Sequence, residues 1–114
     1  LDVITVAAPN LRPNPSNRWN PEPSKAIAVK PMELLAIHKK RAKRLFFIAK
    51  ANGAEVLVLG AFGCGAFQNP PEVVARAYKK VLAEFEYDFD TVEFAVYCPK
   101  RDQTAKPFLP DCVC

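Results

Sequence analysis

Glycine is scarce in this chain, with four residues among 114, and histidine, methionine and tryptophan occur once each. So little glycine excludes a collagen-like or glycine-linker composition. No apolar run approaches the ~20 residues that a membrane-spanning helix needs. No basic, apolar and small-residue series opens the chain as a signal peptide would. The four cysteines, Cys64, Cys98, Cys112 and Cys114, form no CxxC pair, and the single His38 lies far from all of them in sequence. A finger-type zinc site needs closely spaced ligand pairs, and a disulfide framework needs a secreted context. The expectation is a cytoplasmic chain with reduced thiols, no metal, no cofactor and no membrane partner.

What the chain does hold is an ordinary globular balance, half apolar and a quarter charged, on a length that suits one domain. Its charge is uneven. Residues 1–53 carry ten basic and three acidic side chains, whereas residues 54–114 carry six and nine. The basic half centres on Lys39-Lys40-Arg41 and Lys43-Arg44, a cluster able to attract polyanions. A solvated helix face is the plainer reading of it.

Eleven prolines punctuate the pattern. The apolar run at residues 3–8 predicts a buried strand that Pro9 ends. A chain that opens on such a strand reads as a piece of something longer. From Pro9 to Pro31 six prolines exclude regular sheet, apart from a possible short strand near Ala26–Val29. Pro31 to Ala51 predicts a helix, with proline tolerated in its first turn and Asn52-Gly53 as its stop. His38 falls on or beside its apolar stripe and reads as a satisfied core residue. Glu55–Gly60 is the second strand. Asn69, with Glu72 three residues on, predicts an N-cap for a helix opening at Pro70. Val74, Ala77, Tyr78, Val81, Leu82 and Phe85 give that helix one apolar stripe. Thr91–Tyr97 is the third strand, and the tail 100–114 has no period. Strands alternating with helices imply an α/β fold with a mostly parallel sheet flanked by helices, a three-layer sandwich that three strands would leave partly uncovered.

Three of the four glycines, Gly60, Gly63 and Gly65, fall between a buried strand and a helix start. Such glycines let backbone N–H groups turn toward one point and let a ligand come close. Positive φ is expected at Gly65. In open α/β sheets ligands sit beyond the carboxyl ends of strands, and a helix N-terminus favours an anion there. A tight packing turn accounts for the same letters. Phe62 suits the core, and Phe67 could pack or cover a ligand. Asn10, after the first strand, could reach the same crevice or close an Asx-turn.

Four segments together resemble one family. They are Val56–Ala75 (VLVLGAFGCGAFQNPPEVVA), Asp2–Asn10 (DVITVAAPN), His38–Glu55 (HKKRAKRLFFIAKANGAE) and Val92–Tyr97 (VEFAVY). All are similar to the microbial-type poly(ADP-ribose) glycohydrolases, a macrodomain-like fold. The resemblance implies that residues 1–114 are the C-terminal portion of a single macrodomain-like, ADP-ribose-binding domain. It implies a ligand site of Gly60, Phe62, Gly63, Cys64, Gly65, Ala66, Phe67, Asn69 and Asn10. In that site the backbones of Gly63 to Ala66 would cradle the diphosphate, and Phe67 would lie against the terminal ribose. The implied partner is ADP-ribose or poly(ADP-ribose) on modified proteins. The family's catalytic signature, a glycine triplet followed by a Gln-Glu-Glu element, has no counterpart in these residues. No catalytic residue is therefore expected here. The alternatives are a macrodomain-like module that binds without turnover, and a basic fragment that binds nucleic acid.

Overall fold

A computed structural model describes residues 1–12, 29–96 and 106–108. Helix α1 spans Pro31–Ala51, strand β1 Val56–Leu59, helix α2 Pro71–Glu84 and strand β2 Thr91–Phe94, and Lys106–Phe108 form a single 3-10 turn. The two strands are parallel and in register from Val56 opposite Thr91 to Leu59 opposite Phe94. A parallel pair needs a crossover, and α2 supplies it.

The limits of α1 follow from its sequence. Pro31 sits at the first helical position, where a missing N–H costs nothing. At the other end Gly53 takes φ +72°. Its N–H donates to the Lys50 carbonyl and that of Ala54 to the Ala49 carbonyl. Those two bonds make a Schellman stop, which Asn-Gly suits. Leu34, His38, Ala42, Phe46 and Ala49 lie along the buried stripe, and Phe46 is the hub of the core. Its ring meets Tyr78 of α2 and Phe85 and Phe89 beyond it at 5.6–6.1 Å between centroids. Truncating so well packed a ring costs about 3–5 kcal/mol.

Leu57 and Leu59 of β1 point into this core, while Val56 and Val58 point away and are 57% and 66% exposed. The expected uncovered apolar sheet surface of a partial α/β domain is thus present. In the tail, Phe108 is fully buried, with its ring 5.3 Å from that of Phe94. Residues 26–28, Tyr97 and most of the tail lie outside the described residues.

The first predicted strand does not form. Residues 3–8 keep a strand's alternation, with Ile4, Val6 and Ala8 half-buried and their neighbours exposed, but they join no ladder. An open cleft of about 240 Å³, lined by Ile4 and Val6 and by Val58, Leu59 and Gly60 of the β1 end, accounts for this. The segment packs through side chains without its backbone reaching β1. Asn69 is a second correction, because α2 is capped by Pro70 with no side-chain hydrogen bond. The side chain of Asn69 is committed elsewhere.

Candidate functional site

The loop from Gly60 to Asn69 leaves the carboxyl end of β1 and is built from three tight turns. The Phe62 N–H donates to the Gly60 carbonyl, that of Cys64 to Ala61, and that of Gln68 to Gly65. In the second turn Gly63 is the third residue and takes φ +72°, the position at which a type II turn requires positive φ. Gly63 is also pinned by its surroundings. A Cβ there would lie 2.6 Å from the Ala8 Cβ and 2.6 Å from the Asn69 Nδ2.

Gly65 differs from the expectation. It has no positive φ, and a Cβ added to it would meet nothing within 4 Å. The left-handed residue of the second half is instead Gln68, at φ +56°. A non-glycine residue there costs about 1–2 kcal/mol, and no sequence signal pointed to it.

Asn69 is the knot of the site. It is almost wholly buried. Its Nδ2 donates to the carbonyls of Pro9 (2.8 Å) and Gly63 (2.9 Å), and its Oδ1 accepts from His38 Nε2 (2.9 Å). Because both amide protons go to carbonyls, Oδ1 must be the acceptor, and His38 carries its proton on Nε2. His38 is 0% exposed, and its Nδ1 has no partner. Burial holds its pKa below the usual 6.5, with Arg41 adding in the same direction and the Asn69 bond opposing. The histidine is therefore a neutral strut from α1 to the loop, as its place on the apolar stripe suggested.

The other candidates divide by where their side chains go. Phe62 turns inward, its ring edge-on to His38 at 5.9 Å and 6.1 Å from Tyr78. Cys64 is half-buried, and burial, with Glu72's charge second, pushes its thiol up to about 12. It is not a nucleophile at neutral pH. Gly60 has only the Ala95 carbonyl near a would-be Cβ, at 3.9 Å. Ala66 and Phe67 are exposed. Asn10 closes an Asx-turn, its Oδ1 accepting from the Arg12 N–H and Nε at 3.2 Å each.

One connection was not foreseen. Residues 9–12 strap the loop: Pro9 accepts from Asn69, the Leu11 N–H donates to the Phe67 carbonyl (2.9 Å), and the Arg12 guanidinium lies 5.9 Å from the centre of the Phe67 ring. The strap and the turns leave the N–H groups of Gly63, Gly65, Ala66 and Phe67 without a backbone acceptor among the described residues. That of Cys64 is occupied. Helix α2 adds little, since Pro70 and Pro71 have no N–H to offer. The arrangement can donate several hydrogen bonds to an anion at the strand end, beside an aromatic ring that is 37% exposed.

Solved structures resemble the chain, two of them as follows. One is the crystal structure of the poly(ADP-ribose) glycohydrolase of Deinococcus radiodurans in complex with ADP-ribose. It is 35% identical, with a TM-score of 0.63, over 68% of this chain and 32% of that one. The other is a point mutant of the same enzyme, also in complex with ADP-ribose, 33% identical with a TM-score of 0.64 over 70% and 33%. The chain thus spans about a third of the length of these relatives. No protein-family profile and no curated protein matches it.

Proposed function

As a chain of the microbial poly(ADP-ribose) glycohydrolase-like family, covering part of such a protein, this sequence is, we propose, the portion that holds ADP-ribose. Residues 1–114 read as the C-terminal part of one macrodomain-like domain, working in the cytoplasm on ADP-ribose or its polymer attached to modified proteins. The observation that carries this is the run of N–H groups at Gly63, Gly65, Ala66 and Phe67, without a backbone acceptor among the described residues, beyond the carboxyl end of the parallel strand β1. A diphosphate offers the oxygens that such donors need, and each bond to a charged oxygen contributes about 1.5–3 kcal/mol. Phe67 gives the adjoining ribose an apolar face.

These residues bind and orient. Residues 60–69 contain no acid to protonate a leaving ribose oxygen, the step on which hydrolysis of a glycosidic bond depends. Glu84, on the last turn of α2, is engaged with Lys43 at 3.4 Å. The chain alone is therefore a binder, and turnover belongs to a protein that adds the glycine-triplet and Gln-Glu-Glu element.

Calorimetric titration tests the proposal, with ADP-ribose against adenosine as a phosphate-free control. Saturable binding of ADP-ribose at least tenfold tighter than that of adenosine is expected. Equal binding of the two, or none, overturns the diphosphate reading.

A further inference from the structure

Five of the six residues from Lys39 to Arg44 are cations, and the one acid of α1, Glu33, stands two turns before Lys40. Carboxylates of the next elements meet only the flank of this cluster. Lys43 pairs with Glu84 at 3.4 Å, and Lys50 further on pairs with Asp88 at 2.9 Å. Lys39, Lys40, Arg41 and Arg44 make no ion pair among the described residues, and the one printed bond of Arg41 goes to the uncharged Ala7 carbonyl. Lys39 with Lys43, and Lys40 with Arg44, are like charges four residues apart, a spacing that destabilises a helix. At Lys40 and Arg44 no carboxylate among the described residues offsets that repulsion.

An aromatic ring stands in the same row. Lys40, Arg44 and Phe47 fall at i, i+4 and i+7, on the side of α1 turned away from the buried stripe Leu34-His38-Ala42-Phe46-Ala49. All three are exposed, Phe47 by 65%, and Phe47 has no part in the hydrophobic core. Along the helix axis the two charges are about 6 Å apart, and the ring lies about 4.5 Å beyond the second. Packing within the chain explains neither the unpaired charges nor the bare ring. Together they are what a polyanion that carries flat bases would use.

We propose that this row is a second contact surface for poly(ADP-ribose), taking a unit of the polymer other than the one held at the glycine loop. This rests on the ADP-ribose reading above. Each unit of the polymer carries a diphosphate and an adenine. Two cations one turn apart suit the diphosphate, and the exposed ring offers a face on which the base stacks. A polymer chain held at both places makes its second contact intramolecularly, so affinity rises with chain length without any change at the loop. The same charges would attract single-stranded nucleic acid. The polymer is the favoured occupant because only it repeats the unit proposed for the loop.

The test titrates the full-length protein with monomeric ADP-ribose, with poly(ADP-ribose) of uniform length and with oligoadenylate of matched charge, at low and moderate salt. The variants are Lys40→Gln/Arg44→Gln and Phe47→Ala, with circular dichroism as the control for folding. The parent is expected to bind polymer about tenfold or more tighter than monomer, with a steep dependence on salt. The double variant should lose most of that advantage and flatten the salt dependence, while binding monomer as the parent does. Phe47→Ala should weaken polymer binding a few-fold and leave the salt dependence intact, since no charge is removed. Parent-like polymer affinity in the double variant overturns the proposal, and so does oligoadenylate binding as tight as that of the polymer. If the double variant does not fold, the parent decides: polymer binding indifferent to salt overturns the assignment. Failure of the parent to bind monomer strikes down the loop reading alone, and the polymer titration of the double variant still decides the helix face.

Discussion

The two halves of the glycine loop are built on opposite terms. From Gly60 to Cys64 the chain is folded inward: Phe62 packs on His38 and Tyr78, and Gly63 is crowded by Ala8 and Asn69. From Gly65 to Gln68 every residue is exposed, Gly65 has open space around it, and the N–H groups of Gly65, Ala66 and Phe67 have no backbone acceptor among the described residues. One glycine is therefore crowded and the other open, within the same Gly-Cys-Gly triplet.

That division breaks most violently at Asn69. Replacing it with alanine removes three hydrogen bonds, one of them fully buried, and strands the Nε2–H of His38, a loss of about 3–4 kcal/mol in folding stability. Urea unfolding should show it as a lower midpoint. Gly63→Ala comes next. It forces a side chain into a left-handed position already 2.6 Å from two atoms, and should cost about 2–3 kcal/mol. If either variant is as stable as its parent, the inner half is not the rigid part.

Gly65→Val should sharpen the contrast by acting on the other quantity. Its φ is ordinary and its surroundings empty, so stability should change by less than about 0.5 kcal/mol. Affinity for ADP-ribose should fall by about 2 kcal/mol, near thirtyfold, because a branched side chain would stand where the proposed binding mode brings the diphosphate. Parallel melts and titrations separate the two readouts. A folded variant that binds like its parent reduces the whole loop to a packing turn.

The packed half should also respond to acid. His38 has a lowered pKa when folded, so below its ordinary value of 6.5 the unfolded chain takes up a proton that the folded chain resists. Its contribution to stability is complete above pH 6.5 and drains away as pH falls from there toward the lowered value. Arg41, the nearest charge acting on it, moves in the same direction. Unfolding midpoints measured from pH 7.5 downward should decline, and His38→Gln should flatten that decline. The smallest effect belongs to the far face of α1. Lys40 and Arg44 are exposed and away from the loop, so replacing both with glutamine should leave monomeric ADP-ribose affinity within twofold while loosening long polyanions. A large loss for the monomer would tie that face to the site.

The helices were legible because their signals are local. The stripe Leu34-His38-Ala42, Pro31 at one end and Asn52-Gly53 at the other need no knowledge of the rest of the chain, and α1 runs over the predicted residues. The site was legible only in part, because its wiring is not local. Asn69 carries the letters of a capping box, yet its partners are His38, 31 residues away, and Pro9, 60 residues away. Gly63 and Gly65 look alike as letters, and only the crowd around Gly63 distinguishes them. Residues 3–8 have a strand's alternation, but whether a backbone reaches its neighbour depends on the width of a cleft, which composition does not encode.

The valines on the bare side of β1 decide how this stretch behaves in a test tube. A two-stranded ribbon whose outward face is Val56 and Val58, with a cleft along its end, is a template for another strand. Left uncovered, that face will recruit copies of the chain, and loss to aggregates will rise with concentration. Natural edges of this kind are guarded by lysine, so Val58→Lys is the change that should keep the chain in solution, since that side chain is 66% exposed.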